Sequence, residues 1–97
     1  MATIQREIIE GIEQHIETWG GYGSCYVGIT NDLERRVFQE HGVDKDNASD
    51  YVSVDAGTFF NARAVEDYFV RQGCSGAGGG GEADTTIVYS LPHDRVY

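Results

Sequence analysis

At 97 residues the chain suits one small domain that can bury a core with modest stability to spare. An apolar fraction of 40% and a charged fraction of 24% exclude a disordered polymer, and no apolar run is long enough to cross a membrane as a helix. The formal charge of −9, from 7 Lys and Arg against 16 Asp and Glu, excludes a broadly basic nucleic-acid-binding surface and leaves only local basic patches to hold phosphate.

The first predicted element is a helix over residues 1–20, because Ile4, Ile8, Ile9, Ile12, Ile16 and Trp19 recur at helical spacing. Thr3 is a suitable cap and Gly20-Gly21 a suitable stop. Glu7, Glu10, Glu13 and Glu17 fall elsewhere on its surface, as a solvated face. The apolar stripe is expected to pack into the core; docking of a protein partner or of a second copy is the alternative. The segment is acidic and amphipathic, unlike a basic-then-apolar signal peptide, so a cytoplasmic location is the expectation.

The stretch from Cys25 to His41 reads as a strand turning directly into a helix. Tyr26, Val27, Ile29 and Thr30 are aromatic or β-branched, and Gly28 inside that run signals a bulge or a close approach. Asn31 is the expected cap, with Glu34 three residues on and Leu33, Val37 and His41 at helical spacing. Cys25 and Cys74 are the only cysteines, with no CxxC pair, and read as small buried hydrophobes.

Residues 43–50 read as a polar loop after Gly42, residues 51–54 as a short alternating strand, and residues 55–57 as a turn. A further helix, capped by Thr58 or Asn61, runs to about Gln72 and carries Phe59, Ala62, Glu66, Phe69 and Val70 along one stripe. Glu66 is the one carboxylate on it. A charge facing a core requires an ion pair, hydrogen bonds or a metal, so Glu66 is either salt-bridged to an arginine such as Arg36 or a metal ligand. Residues 73–84 hold six glycines without a Walker lysine and read as a mobile connection, with a lid as the alternative. Thr85-Thr86-Ile87-Val88-Tyr89-Ser90-Leu91 is the clearest strand, ended by Pro92.

Tyr26-Val27-Gly28-Ile29-Thr30, with Arg36 ten positions after Tyr26 and His41 soon after, resembles the second half of a GIY-YIG endonuclease. Residues 62–69, Ala-Arg-Ala-Val-Glu-Asp-Tyr-Phe, are similar to that family's later helix, which carries its metal-binding glutamate. The resemblance spans roughly Cys25 to Gly73. It implies a metal-dependent endonuclease that hydrolyses phosphodiester bonds, with Mg²⁺ or Mn²⁺ held by Glu66. Tyr26, Arg36 and His41 would be catalytic, and Arg35 and Arg63 offer a basic patch for the substrate. The implied partner is nucleic acid, DNA first, bound weakly by this domain alone. The alternative is a catalytically degenerate relative that binds protein or nucleic acid.

No Gly-Ile-Tyr precedes this segment, and no asparagine follows the glutamate helix. Ile87-Val88-Tyr89 resembles the missing Gly-Ile-Tyr without its glycine. The hypothesis is therefore that the C-terminal strand lies beside the Tyr26 strand, as in a circular permutation, and that Tyr89 supplies the second catalytic phenol. Tyr22 is the rival. The expected fold is a single α+β domain, a small and mainly antiparallel sheet packed by about three helices, with permuted strand order.

Overall fold

A computed structural model describes residues 3–35, 51–76 and 83–92. Helix α1 spans Thr3–Thr18 and is followed by a single 3₁₀ turn, Tyr22–Ser24. Strand β1 is Cys25–Thr30, β2 is Val52–Asp55, helix α2 is Phe59–Gln72 and β3 is Ile87–Pro92. The fold is α+β, with two α-helices among the described residues. Arg36, His41 and most of the helix expected after Asn31 lie outside the described residues, as do the polar loop at 43–50 and residues 77–82 of the Gly-rich run.

Local chemistry explains where the elements stop. Gly20 and Gly21 have φ of 105° and 102°, which side chains disfavour, and the Gly21 amide reaches back to the Ile16 carbonyl at 3.0 Å. Thr58 caps α2: its hydroxyl accepts from the Asn61 amide at 3.1 Å. Gly73, at φ 120°, closes the other end. After β1, Asp32 rather than Asn31 is the cap. Its carboxylate accepts from the Arg35 amide at 3.1 Å, while the Asn31 side chain donates to Asp84 at 3.2 Å.

The sheet order is β1-β3-β2, with β3 antiparallel to both neighbours. Tyr26 is opposite Leu91, Gly28 opposite Tyr89, and Ser53 of β2 opposite Tyr89 on the other side. Pro92 is the last paired residue of β3, opposite Cys25, not a residue beyond the strand; a proline at a strand end costs little because few ladder bonds are lost there.

Strand alternation divides the sheet into two faces. Cys25, Val27, Val88 and, less completely, Ile29, Val52 and Val54 join a core with Ile8, Ile9, Ile12 and Ile16 of α1 and Ala62, Val65 and Phe69 of α2. The α1 stripe is therefore consumed inside the molecule, as expected for the core alternative. On α2 the stripe is rotated from its expected position: Val65 is buried and Val70 is exposed. The Val65 flank lies toward α1, which covers it. Tyr89 and Leu91 form a second cluster on the opposite face, with Tyr26, Leu33 and Tyr51 packed against it.

Beyond the sheet proper, the chain after α2 runs parallel to the outer edge of β1. The Val27 amide donates to the Ser75 carbonyl at 2.8 Å and the Ser75 amide to the Cys25 carbonyl at 3.1 Å. No helix among the described residues is long and apolar enough to cross a membrane.

Candidate functional site

The two phenols of the permutation hypothesis meet. Tyr26 on β1 and Tyr89 on β3 have ring centroids 6.2 Å apart, tilted by 34°. The register that aligns Gly28 with Tyr89 lays the Tyr89 ring across the glycine. A Cβ built on Gly28 would lie 2.6 Å from the Tyr89 hydroxyl and 2.7 Å from Cζ. The close approach signalled by Gly28 is thus made by a side chain of the neighbouring strand. The arrangement is held from below by Ser90, whose hydroxyl donates to the Tyr26 carbonyl at 2.9 Å.

The two rings differ in access. Tyr26 is half-buried, whereas Tyr89 has 0% exposure. A phenol sealed in this way cannot touch a polynucleotide, which goes against the expected catalytic role of Tyr89. Tyr22, the rival, belongs to the other face. Its ring lies 6.3 Å from Phe69, and its hydroxyl donates to Glu13. That hydrogen bond, with burial added, pushes the Tyr22 phenol well above its ordinary range. Tyr51, not singled out in the sequence, packs against the Tyr89 cluster and makes a third phenol on this face. The period of two in residues 51–54 placed it opposite Val52, but only the pairing of β2 with β3 brings it to Tyr89.

Glu66 stands apart from the phenols. Asn61, which accepts from Gln5 at 2.9 Å, marks the α1 side of α2, and Glu66 lies about 140° around the helix from it. Val70, about 40° from Glu66, abuts the segment paired with β1: a Cβ at Gly76 would meet Val70 at 2.8 Å and the Val27 carbonyl at 3.1 Å. Glu66 therefore leaves α2 toward the outer edge of β1, while Tyr26 and Tyr89 rise from the sheet face turned away from α2.

The Glu66 side chain is 2% exposed, and its Oε1 has no hydrogen-bond partner among the described residues. Arg63 Nε is 3.9 Å away, within ion-pairing range but beyond a hydrogen bond, and is drawn also to Asp67 at 3.6 Å. Burial raises the Glu66 carboxyl above the usual range; Arg63 opposes that shift and Asp67 adds to it. The salt bridge expected of Glu66 is thus made weakly, and with Arg63. Arg63 in turn faces two carboxylates through its Nε. Arg35 is exposed at the first turn after β1.

Among the described residues no three His, Cys, Asp or Glu side chains gather to hold a metal ion. A single carboxylate still suits Mg²⁺, which retains much of its water and often takes one or two protein oxygens. The orphaned Oε1 is the donor such an ion would use. No protein-family model, curated protein or solved structure matches this chain.

Proposed function

We propose that this chain is a nuclease domain of the GIY-YIG type, hydrolysing phosphodiester bonds in nucleic acid, with its strand order permuted. The observation that carries this reading is the packing of Tyr89 on β3 over Gly28 and against Tyr26 on β1. It supplies the second tyrosine strand that the linear sequence lacks.

In this reading Glu66 would hold Mg²⁺ or Mn²⁺, which would supply Lewis acidity and lower the pKa of bound water; its burial on the α2 side of the sheet, opposite the phenols, counts against this assignment. The half-exposed Tyr26 phenol hydrogen-bonds the attacking water or takes its proton. Arg36 holds the scissile phosphate as it gains charge, and His41 binds phosphate or relays a proton; both roles are carried over from the family resemblance. Tyr89 fixes the Tyr26 ring, and Arg35 adds local positive charge.

A second reading is favoured by one feature. Glu66 at 2% exposure on a chain of charge −9 suits a catalytically degenerate domain that binds protein, or nucleic acid weakly, without cutting. Incubation with single- and double-stranded DNA and RNA, with Mg²⁺ or Mn²⁺, separates the two. The nuclease reading expects cleavage that is lost in Glu66→Ala and in Tyr26→Phe. It also expects Mn²⁺ to raise the melting temperature of the wild type but not of Glu66→Gln. Cleavage that persists in Glu66→Ala removes Glu66 from its role, and binding without any cleavage establishes the second reading.

A further inference from the structure

Two nucleophilic groups have no part in the chemistry above. Cys25 at the start of β1 and Cys74 just beyond α2 are both unbridged thiols in the main core, 0% and 4% exposed. Forty-eight residues separate them in the chain, yet the fold makes them neighbours. Tyr26 and Ser75 are bridge partners in a parallel pairing, closed by the two backbone hydrogen bonds between Cys25, Ser75 and Val27. One residue back in that register, Cys25 lies beside Cys74. Adjacent paired segments run about 4.8 Å apart, inside the range of Cα separations that a disulfide spans. Alternation puts both side chains on the same side, and both enter the same core cluster.

We propose that Cys25 and Cys74 form a reversible intramolecular disulfide with hydrogen peroxide as the oxidant, fastening the chain beyond α2 to the edge of β1 beside Tyr26. Their burial selects a small oxidant over a bulky disulfide such as oxidised glutathione. In the first step the Cys25 thiolate attacks one peroxide oxygen and the O–O bond breaks. Sulfur is oxidised to sulfenic acid, and the departing hydroxide takes up a proton to leave as water. In the second step the Cys74 sulfur attacks the Cys25 sulfur and the S–O bond breaks. The hydroxyl leaves as water with the Cys74 proton, so two thiols and one peroxide give one disulfide and two waters.

The order of attack follows from the surroundings. Hydrogen bonding from Cys74 lowers the Cys25 pKa against the opposing effect of burial. The same contact raises Cys74, together with burial, so Cys74 keeps its proton until it resolves the sulfenic acid.

The test is peroxide treatment of the folded protein, followed by unfolding, alkylation of the remaining thiols and intact-mass analysis. The expected result is loss of both thiols together in monomeric protein, with loss of two hydrogens and full recovery on adding dithiothreitol. In Cys74→Ala the same treatment stops at oxygen addition on Cys25. Hydrogen exchange reads the fastening directly, since the Ser75 and Val27 amides make the bonds that the link would lock, and both are expected to slow on oxidation. The proposal is overturned if the wild type keeps both thiols, gains oxygen without losing them as a pair, or forms only a covalent dimer. Unchanged exchange at Ser75 and Val27 in the disulfide form overturns the fastening.

Discussion

Replacing Gly28 with alanine tests the register on which the candidate site depends. Gly28 is not among the glycines with positive φ, so an L side chain meets no backbone penalty there. The whole cost comes from contact. The new Cβ would sit 2.6 Å from the Tyr89 hydroxyl, 2.7 Å from Cζ and 3.0 Å from Cε1. Carbon atoms prefer about 3.5–4.0 Å, so the ring or the strand must yield by close to about 1 Å. The Tyr89 ring is fully buried and has nowhere to swing. Overpacking of this kind costs about 1–3 kcal/mol, offset by about 0.5–1 kcal/mol gained on removing a strand glycine. A net loss of about 1 kcal/mol lowers the melting temperature by about 4–8 °C for a domain this size. Urea and thermal denaturation followed by circular dichroism measure it. The decisive comparison is Gly28→Ala in a Tyr89→Leu background, where the clashing atoms are gone and the alanine becomes neutral or stabilising, giving a coupling energy of about 2 kcal/mol. An alanine equally costly in both backgrounds would refute the assigned packing.

Glu66→Gln is expected to stabilise the protein at neutral pH in the absence of metal, by about 1–3 kcal/mol, because it removes a buried charge with an unpaired oxygen. The folded carboxyl titrates above its unfolded value, so the stability tied to its protonated form is complete below about pH 4.3 and is lost as pH rises through the folded value. The difference between mutant and wild type therefore widens from acid to neutral pH, which denaturant titrations across that range measure; a constant difference would contradict the burial argument. Thr58→Ala is expected to cost about 1 kcal/mol by urea denaturation, through loss of the cap bond to the Asn61 amide. If the Cys25–Cys74 link forms without strain, closing a loop of about 50 residues adds about 4 kcal/mol of stability to the oxidised form, read as a higher urea midpoint that dithiothreitol abolishes.

Much of this architecture was legible in the chain. The α1 stripe, the stop at Gly20 and Gly21, the Thr58 cap and the end of α2 at Gly73 are local matters of period and backbone chemistry, and the structure has them as expected. The neighbouring of β1 and β3 was legible only through the likeness of Ile87-Val88-Tyr89 to a missing motif, since strand pairing between distant segments leaves no periodic trace. Exposure was harder to read. Tyr89 and Tyr26 have the same chemistry and similar flanking residues, and only the pairing of β3 on both sides seals one of them. The rotation of the α2 stripe from Val70 to Val65 has the same origin, because the position of α1 decides which flank is covered. The contact between Cys25 and Cys74 was hidden for a further reason: the segment at 74–76 reads as glycine-rich connection, not as a chain that pairs along a strand edge.

The position of β3 between two strands made earlier in the chain sets an order of events during synthesis. Among the described residues neither β1 nor β2 has another strand to pair with, so the sheet cannot assemble until residues 87–92 have left the ribosome. Until then the nascent chain holds two helices and two strands that lack their β3 partner, a state open to pairing with other chains. Folding is consequently expected to be late and dominated by long-range closure, and slow for so small a domain.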